Sequence, residues 1–151
     1  VMGYIFTPTV ILGGGYNTYD CGGDVIGGYE AAGEHLSAII PEGSLVYWEG
    51  GNSVIPLLYL ENIDMFPAQI NGDYAFRLGG APDALERFGF WSEELAVEWA
   101  EEADVILIEE RFYAGWLKDL VESGAYDELE PTAPTVECRR NSAIHIFQKK
   151  Q

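Results

Sequence analysis

The chain has 151 residues, of which 48% are hydrophobic and 13% aromatic, a composition typical of one compact globular domain and not of a disordered or low-complexity segment. Its 25 acidic residues outnumber eight basic ones, so the formal net charge at pH 7 is −17. Such a charge repels a phosphate backbone and argues against nucleic acid as a partner.

The first 28 residues predict a lead-in segment that precedes the folded domain. Val1 to Leu12 is a short apolar run, interrupted by Pro8 and without a basic start, so it predicts neither a signal peptide nor a complete membrane-spanning helix. It is compatible with the continuation of a membrane helix that lies upstream. Residues 13–28 are rich in glycine, which favours flexible turns. We therefore predict a glycine-rich lead-in at 1–28 and a single α/β domain at 29–151.

The start of this domain predicts a helix, a strand and a second helix in succession. Apolar residues recur at helical spacing from Val25 or Tyr29 until Pro41 ends the first helix. Residues 45–48 form an apolar strand, and Gly50–Gly51 leads to Asn52 or Ser53 as the cap of the second helix. This order is typical of the beginning of a parallel sheet covered by helices.

The middle of the chain predicts the centre of the sheet. Residues 65–70 indicate a second strand, and Ser92 is placed to cap a further helix. The predicted buried side of that helix consists of Leu95, Trp99 and Ala103. Residues 105–108 are a continuous apolar run, which is the pattern of a strand covered on both faces. We place this strand at the centre of the sheet.

The last part of the chain predicts a helix at 113–123 followed by an antiparallel hairpin. Its strands are predicted at 135–138 and 143–147, and the alternation in the second indicates one wet face. The fold class is therefore predicted as α/β: a three-layer Rossmann-like sandwich with a mainly parallel sheet and an antiparallel C-terminal hairpin.

No motif in the chain predicts catalysis. The glycine clusters spell neither a dinucleotide-binding fingerprint nor a phosphate loop. Ser53, Asp104 and His145 follow the chain order of an α/β-hydrolase triad, but Ile55 stands where the second glycine of the nucleophile turn is expected. Helix capping, strand initiation and a place in the hairpin explain these three residues without chemistry. We predict no catalytic residues, no metal site and no cofactor.

Open parallel sheets bind ligands beyond the carboxyl ends of their strands, and this rule indicates where a ligand site would lie. Two predicted strands end in polar residues. The candidate ligand-binding residues are Glu49, Asn52, Ser53, Glu109, Glu110 and Arg111. Helix capping and surface ion pairing are the alternative interpretation of the same residues.

Cys21 and Cys138 are the two cysteines of the chain, and neither belongs to a metal-binding spacing. A disulfide between them is consistent with an oxidising compartment. Two unpaired thiols are the alternative.

Three segments in order resemble a known kind of domain: AAGEHLSAIIPEGSLVYWEGGNSVIPLLYLENIDMFPAQI, EWAEEADVILIEERF and LVESGAYDELEPTAPTVECRRNSAIHIFQKK. They are similar to the soluble C-terminal domain of polytopic, lipid-phosphosugar-dependent glycosyltransferases. This superfamily includes the dolichyl-phosphate-mannose protein mannosyltransferases and the bacterial aminoarabinose transferases. The likeness covers roughly residues 30–149 and consists of an order of elements, including a Pro-x-Gly-x-x-Val strand start.

The resemblance implies an extracytoplasmic domain tethered to the membrane-embedded remainder of the same polypeptide. In this family the catalytic acid lies near the first membrane helices, which are not in this sequence. The domain is therefore expected to be non-catalytic, with a binding or scaffolding role toward a glycan or lipid-linked sugar. The alternatives are a free-standing Rossmann-like module that binds a nucleotide or a sugar, and a small serine hydrolase.

Overall fold

The computed structural model describes residues 25–50, 54–66, 93–133 and 143–150. The described elements, in chain order, are α1 (Val25–Ile39), β1 (Leu45–Glu49), α2 (Val54–Tyr59), β2 (Asp64–Met65), α3 (Glu93–Glu102), β3 (Val105–Glu109), α4 (Gly115–Leu120), β4 (Tyr126–Leu129) and β5 (Ile144–Lys149). A 3₁₀ turn at Glu110–Phe112 precedes α4, and a π-helical turn at Val121–Ala125 follows it. The strands form one mixed sheet in the order β2-β1-β3-β5-β4, which confirms the α/β class.

Strand β3 occupies the centre of the sheet, as its apolar run predicts. It pairs in parallel with β1, from Val46 opposite Val105 to Glu49 opposite Ile108, and antiparallel with β5 on its other side. All five of its residues are buried. A strand that is covered on both faces and flanked on both edges needs apolar side chains throughout, and Val105 to Ile108 provide them.

The C-terminal part of the sheet differs from the predicted hairpin. The antiparallel partner of β5 is β4, which follows the π-helical turn directly and was not predicted as a strand. The predicted strand at 135–138 lies outside the described residues. Strand β5 is also internal to the sheet, between β3 and β4. The predicted wet face is therefore wrong, because Phe147 on one face and Ile146 on the other are both buried.

Side chains alternate along each strand, and this alternation produces two separate hydrophobic clusters on the two faces of the sheet. On the face that we call the α1/α2 face, the cluster includes Leu36, Val46, Trp48, Ile55, Leu107, Ile144 and Ile146. On the opposite α3/α4 face, it includes Tyr47, Ala96, Ala100, Ile106, Ile108, Leu117 and Phe147. Both faces of the sheet therefore contribute to the core.

The buried side of α3 is formed by small residues, and this corrects one prediction. Ala96, Ala100 and Ala103 are buried, whereas Leu95 is 37% exposed and Trp99 is half-buried. Ala96 and Ala100 are four residues apart and share a helical face, which lets the helix approach the sheet closely. A hydrophobic pattern alone predicts that the larger Leu95 is buried, although Leu95 lies about a quarter-turn around the helix from the face of Ala96 and Ala100.

A buried hydrogen bond ties β4 to α3 and provides a stability test. The hydroxyl of Tyr126 donates to the backbone carbonyl of Ala100 over 2.9 Å, at a buried position. We expect Tyr126→Phe to lower the free energy of unfolding by about 1 kcal/mol, because it leaves that carbonyl without its partner. Tyr113→Phe is the matched control, since its hydroxyl bonds Glu122 at an exposed position and its loss should cost little. Denaturant unfolding of both variants measures the difference, and equal losses would contradict the expectation.

Candidate functional site

Glu49 and Glu109 are the last residues of two neighbouring parallel strands, so both lie at the end of the sheet where these strands finish. We call this end of the sheet the carboxyl edge. The register nevertheless places them on opposite faces. Glu49 is opposite Ile108 and therefore lies on the α3/α4 face, whereas Glu109, one residue further along β3, is opposite Ile144 on the α1/α2 face. The structure therefore does not bring these two predicted ligand residues into one cluster, because neighbouring side chains in a strand point in opposite directions.

On the α1/α2 face, the carboxyl edge contains a buried carboxylate held by an arginine. Glu109 is only 7% exposed, and its Oε2 accepts a hydrogen bond from Arg111 Nε over 2.9 Å. The Arg111 side chain is 40% exposed, and its guanidinium carbon lies 4.5 Å from the centroid of the Phe112 ring. A charge-assisted bond of this kind is shorter and stronger than one between neutral groups. Two of the predicted site residues are thus joined.

Glu110 is the third predicted residue of this strand end, and it has a different role. Its side chain is exposed, while its backbone N–H donates to the carbonyl of Ala143 over 2.9 Å. This bond extends the pairing between β3 and β5 by one step into the 3₁₀ turn. Glu110 therefore helps to position Arg111 through its backbone, and its carboxylate faces solvent.

Trp48 and Gly50 complete the α1/α2 side of the edge, and sequence reasoning did not assign them to it. A Cβ atom added at Gly50 would lie 2.3 Å from Cζ2 and 2.6 Å from Cε2 of Trp48, and 3.0 Å from Cγ of Glu109. Only glycine fits where an indole and a carboxylate side chain approach the backbone so closely. The signal in the sequence is a tryptophan placed two residues before the first glycine of the strand-to-helix turn.

The indole nitrogen of Trp48 is the one buried side-chain polar atom without a hydrogen-bond partner among the described residues. Buried tryptophan N–H groups usually find a partner, because leaving one unsatisfied costs free energy. Trp48 is itself only 7% exposed. The α1/α2 side of the edge therefore combines an unused donor, a buried carboxylate and a half-exposed guanidinium.

On the α3/α4 face, the same edge contains Tyr47 and Glu49. The Tyr47 hydroxyl donates to Glu49 Oε2 over 3.2 Å, and its ring meets Trp116 edge-on, with centroids 6.5 Å apart. Burial, reinforced by the neighbouring negative charge of Glu49, raises the pKa of the Tyr47 hydroxyl well above its usual value. Tyr47 therefore remains a neutral hydrogen-bond donor near pH 7 and cannot act there as a base.

This raised pKa predicts a loss of stability in alkaline solution. The Tyr47 pKa is higher in the folded chain than its ordinary value of 10.0. The contribution of the protonated hydroxyl to the free energy of unfolding is therefore fully present below pH 10 and is lost as the pH rises above 10. Between pH 10 and 11, the free energy of unfolding of the unmodified chain should fall by roughly 1 kcal/mol more than that of Tyr47→Phe, because phenylalanine has no hydroxyl to titrate. Denaturant titrations across this range measure the difference, and parallel pH profiles would contradict it.

The structure separates two members of the hydrolase triad considered above. Asp104 precedes β3 at the opposite end from the carboxyl edge, and its Oδ2 accepts the backbone N–H of Leu45 over 2.9 Å. His145 pairs with Ile108 near the carboxyl edge, about 13 Å further along the strand. Its Nδ1 lies 3.3 Å from Glu128, and its ring stacks on Tyr113. Asp104 orients β1 against β3 and does not orient His145.

The remaining predicted site residues, Asn52, Ser53, Cys21 and Cys138, lie outside the described residues. Within the described ranges, no group of His, Cys, Asp and Glu side chains is arranged to hold a metal ion. The acidic side chains of α3 at Glu94, Glu98, Glu101 and Glu102 are exposed. This is the arrangement expected of a solvated helix face.

A pocket lies at the amino end of the sheet, away from the carboxyl edge. It has a volume of about 320 Å³ and is lined by Ser37, Ile40, Glu42, Tyr59, Leu60, Glu61 and Ile63. These residues belong to the ends of α1 and α2 and to the turns around them. The pocket is therefore a comparison site for any binding experiment.

No family model, no curated protein and no solved structure matches this chain. Among the helices in the described ranges, none has the length and apolar character needed to cross a bilayer.

Proposed function

We propose that this chain is a non-catalytic domain of a membrane-bound, glycosyltransferase-like protein and that it binds a ligand at the carboxyl edge of its sheet. The observation that supports this most directly is the cluster of Trp48, Glu109 and Arg111 beside Gly50. An indole, a carboxylate and a guanidinium at the ends of parallel strands are binding groups in the place where open α/β sheets bind ligands. The domain lies at the extracytoplasmic face, tethered to the membrane-embedded remainder of its polypeptide, with a glycan or lipid-linked sugar as its ligand.

The resemblance to glycosyltransferase C-terminal domains supports the choice of parent protein. Its first segment covers the later part of α1 together with β1, α2 and β2. The second covers the later half of α3 and all of β3, and the third covers β4 and β5. We propose the finer fold on the same basis: a Rossmann-like three-layer sandwich, with α1 and α2 on one face of the sheet and α3 and α4 on the other.

The way in which three of the described titratable groups are engaged supports a binding role over catalysis. Glu109 is held in an ion pair, Tyr47 is a protonated donor to Glu49, and His145 is packed between aromatic rings beside Glu128. General acid–base and nucleophilic chemistry require a base directed at a nucleophile. These three groups are instead directed at Arg111, Glu49 and Glu128.

A free-standing Rossmann-like module that binds a nucleotide or a sugar is the second candidate. The parallel pairing of β1 with β3 favours it equally, since this pairing creates the carboxyl edge. Carboxylates at Glu49, Glu109 and Glu110 and the net charge of −17 oppose a phosphorylated ligand and favour a neutral one. A serine hydrolase is not proposed, because Asp104 and His145 lie far apart.

The coding sequence upstream of Val1 tests the choice of parent protein. The proposal expects ten or more hydrophobic spans ahead of the domain, whereas the free-standing module expects a start codon close to Val1. A short upstream region without hydrophobic spans would overturn the membrane assignment and leave the binding site to be judged separately.

An activity panel tests the non-catalytic role. Activated sugars and short acyl esters should show no turnover above buffer with the purified chain. Turnover that disappears in Ser53→Ala or His145→Ala would contradict the proposal and establish hydrolase chemistry.

The extracytoplasmic location predicts a disulfide between Cys21 and Cys138. After folding under oxidising conditions, the denatured chain should resist alkylation until reductant is added and should then gain two labels. Mass spectrometry measures the labels. Two labels without reductant would show unpaired thiols and would remove this support for the location.

A further inference from the structure

We propose that the pocket at the amino end of the sheet binds a small organic cation, an ammonium group on an apolar stem. Its volume of about 320 Å³ lies within the range of protein sites for small ligands. The inference goes beyond the proposed function, because this pocket and the carboxyl edge lie at opposite ends of the sheet. Three observations carry it: two tethered carboxylates, a negative helix end, and an apolar lining with an aromatic ring.

The two carboxylates of the pocket belong to two turns that are bonded to each other. Glu42 lies in the turn between α1 and β1, and Glu61 lies in the turn between α2 and β2. The backbone N–H of Gly43 donates to the carbonyl of Asn62 over 2.6 Å, so the residues that directly follow the two glutamates are joined. The parallel pairing of β1 with β2 continues this connection. The backbone therefore presents both carboxylates to one pocket without a ligand, which keeps the entropic cost of binding low.

No described side chain neutralises these two carboxylates. Glu42 and Glu61 are exposed, and neither takes part in a hydrogen bond or an ion pair with a described residue. The four described lysine and arginine side chains are bonded elsewhere: Arg111 to Glu109, Lys118 to Glu122, Lys149 to the carbonyl of Glu101, and Lys150 to Asp127. Like charges on neighbouring turns repel each other, and a cation bound between them relieves that repulsion.

The end of α1 adds to the negative potential of the pocket. Ser37 and Ile40 line the pocket at the C-terminal end of this helix, which is 15 residues long. The C-terminal end of a helix carries a partial negative charge, and cations are favourable there. The last turn of α1 contains no basic residue. A bound cation would therefore take the position that a lysine or arginine side chain often occupies at a helix end.

The rest of the lining favours an organic cation. Ile40 and Leu60 are buried apolar residues, and Tyr59 packs partly buried against the same hydrophobic cluster. Helix α1 approaches Tyr59 so closely at Gly33 that a Cβ added there would overlap Cβ and Cγ of the tyrosine, which fixes its position in the pocket. Apolar side chains contact a carbon stem favourably, and an aromatic ring attracts an ammonium group over its face.

A metal ion fits this pocket less well. Within the described ranges, no group of three or more His, Cys, Asp and Glu side chains could hold one. Calcium needs six to eight oxygen ligands, and magnesium keeps a shell of water that apolar side chains do not hydrogen-bond. An ammonium group needs only a few acceptors for its N–H groups, and the carboxylates and the Tyr59 hydroxyl provide them.

The first test maps the backbone amides of the unmodified ¹⁵N-labelled chain with benzylammonium chloride, which is protonated at pH 7. Benzyl alcohol has the same apolar body without the charge, and magnesium chloride at equal ionic strength is the inorganic cation. We expect saturable shifts at Glu42, Gly43, Glu61 and Ile63 with benzylammonium, and neither comparison should produce them. No response to benzylammonium, an equal response to benzyl alcohol, or a response of these amides to magnesium would overturn the proposal.

The second test compares the affinity of charge variants for benzylammonium at about 0.15 M salt, where charges more than about 8 Å apart are screened. Glu42→Gln and Glu61→Gln should each weaken binding roughly two- to fivefold, the usual effect of losing one exposed charge pair. Glu98→Gln is the matched control, because Glu98 is exposed on α3 and changes the net charge equally. Equal weakening by all three variants would reduce the binding to general attraction by an acidic protein and would overturn the site.

A matched pair at Tyr59 tests the aromatic contribution. Tyr59→Leu removes the ring and should weaken binding of benzylammonium roughly two- to fivefold, whereas Tyr59→Phe keeps the ring and should retain most of the affinity. Circular dichroism checks the fold of both variants. Equal affinities of the leucine and phenylalanine variants would contradict a role for the ring, and if either variant fails to fold, the glutamine variants at the exposed positions decide the proposal.

The outcomes separate this inference from the proposed function. A response to benzylammonium at Glu42 and Glu61 without any response to a neutral sugar at the carboxyl edge would establish the cation site and remove the proposed ligand site. A sugar response at the carboxyl edge with no benzylammonium response at the pocket would do the reverse.

Discussion

Replacing Ile106 with alanine should lower the free energy of unfolding by about 2 to 5 kcal/mol. Ile106 is fully buried at the centre of β3, where it lies opposite Tyr47 of β1 and Phe147 of β5. Truncation removes apolar contacts and leaves a cavity, and the surrounding strands can relax only partly because each is paired on both sides. Urea or guanidinium unfolding measures the change.

Leu95→Ala is the matched control for this experiment. Leu95 is 37% exposed on α3, the same helix layer that covers Ile106 from above, so its truncation should cost less than about 1 kcal/mol. A loss below about 1 kcal/mol at Ile106 would contradict the central position of β3. Similar losses at the two positions would contradict the assignment of the buried side of α3.

Replacing Gly50 with alanine should lower the free energy of unfolding by about 1 to 3 kcal/mol, the usual cost of forcing an extra methyl group into a well-packed region. The added Cβ would stand 2.3 Å from the Trp48 ring and 3.0 Å from Glu109. Neither neighbour retreats easily, since Trp48 is buried under α1 and α2 and Glu109 is tied to Arg111. Thermal or denaturant unfolding measures the change.

A double-mutant cycle with Trp48→Phe shows whether the indole is the cause. Phenylalanine lacks the fused two-ring system of the indole, to which Cζ2 and Cε2 belong, so Gly50→Ala should cost clearly less in the Trp48→Phe background than alone. Additive losses would mean that Gly50 is required for another reason. The wild-type-like fold of each single variant is checked first by circular dichroism.

The sequence predicts an element well when the residues of that element alone restrict where in the fold it can be stable. Val105 to Ile108 are apolar without interruption, and such a run is stable only where it is covered on both faces, so β3 could be placed at the centre of the sheet. Pro41 and Gly43 end α1 through local backbone effects, and Gly43 has the positive φ of 77° that a glycine accepts readily.

The elements that were missed depend on partners distant in the chain. Strand β4 has the sequence Tyr-Asp-Glu-Leu, and two adjacent acids disfavour a strand unless it lies at a sheet edge, which is where β4 lies. Leu95 is more hydrophobic than Ala96, but the close approach of α3 to the sheet admits the smaller residue. Neither outcome follows from local propensity.

In the candidate site, too, some features could be predicted from the sequence and others depend on contacts between distant residues. The carboxyl-end rule predicts Glu49, Glu109 and Arg111 as candidates from the sequence, because it requires only the order and direction of strands. The sequence could not predict that Glu49 and Glu109 lie on opposite faces. That follows from the register of β1 against β3, in which the two strand ends are shifted by one residue. The role of Trp48 requires knowing that its N–H is left without a partner, and only packing in three dimensions decides that.

The central claim is that the carboxyl edge is the ligand-binding edge of this domain, and backbone amide mapping tests it most directly. A ¹⁵N-labelled sample of the chain is titrated with a panel of neutral monosaccharides, with a purine nucleotide as the charged comparison. We expect saturable shifts for a neutral sugar at Gly50, Glu109, Glu110 and Arg111, and none at the pocket between Ser37 and Ile63. Shifts confined to that pocket, or shifts at the carboxyl edge with the nucleotide alone, would contradict the account.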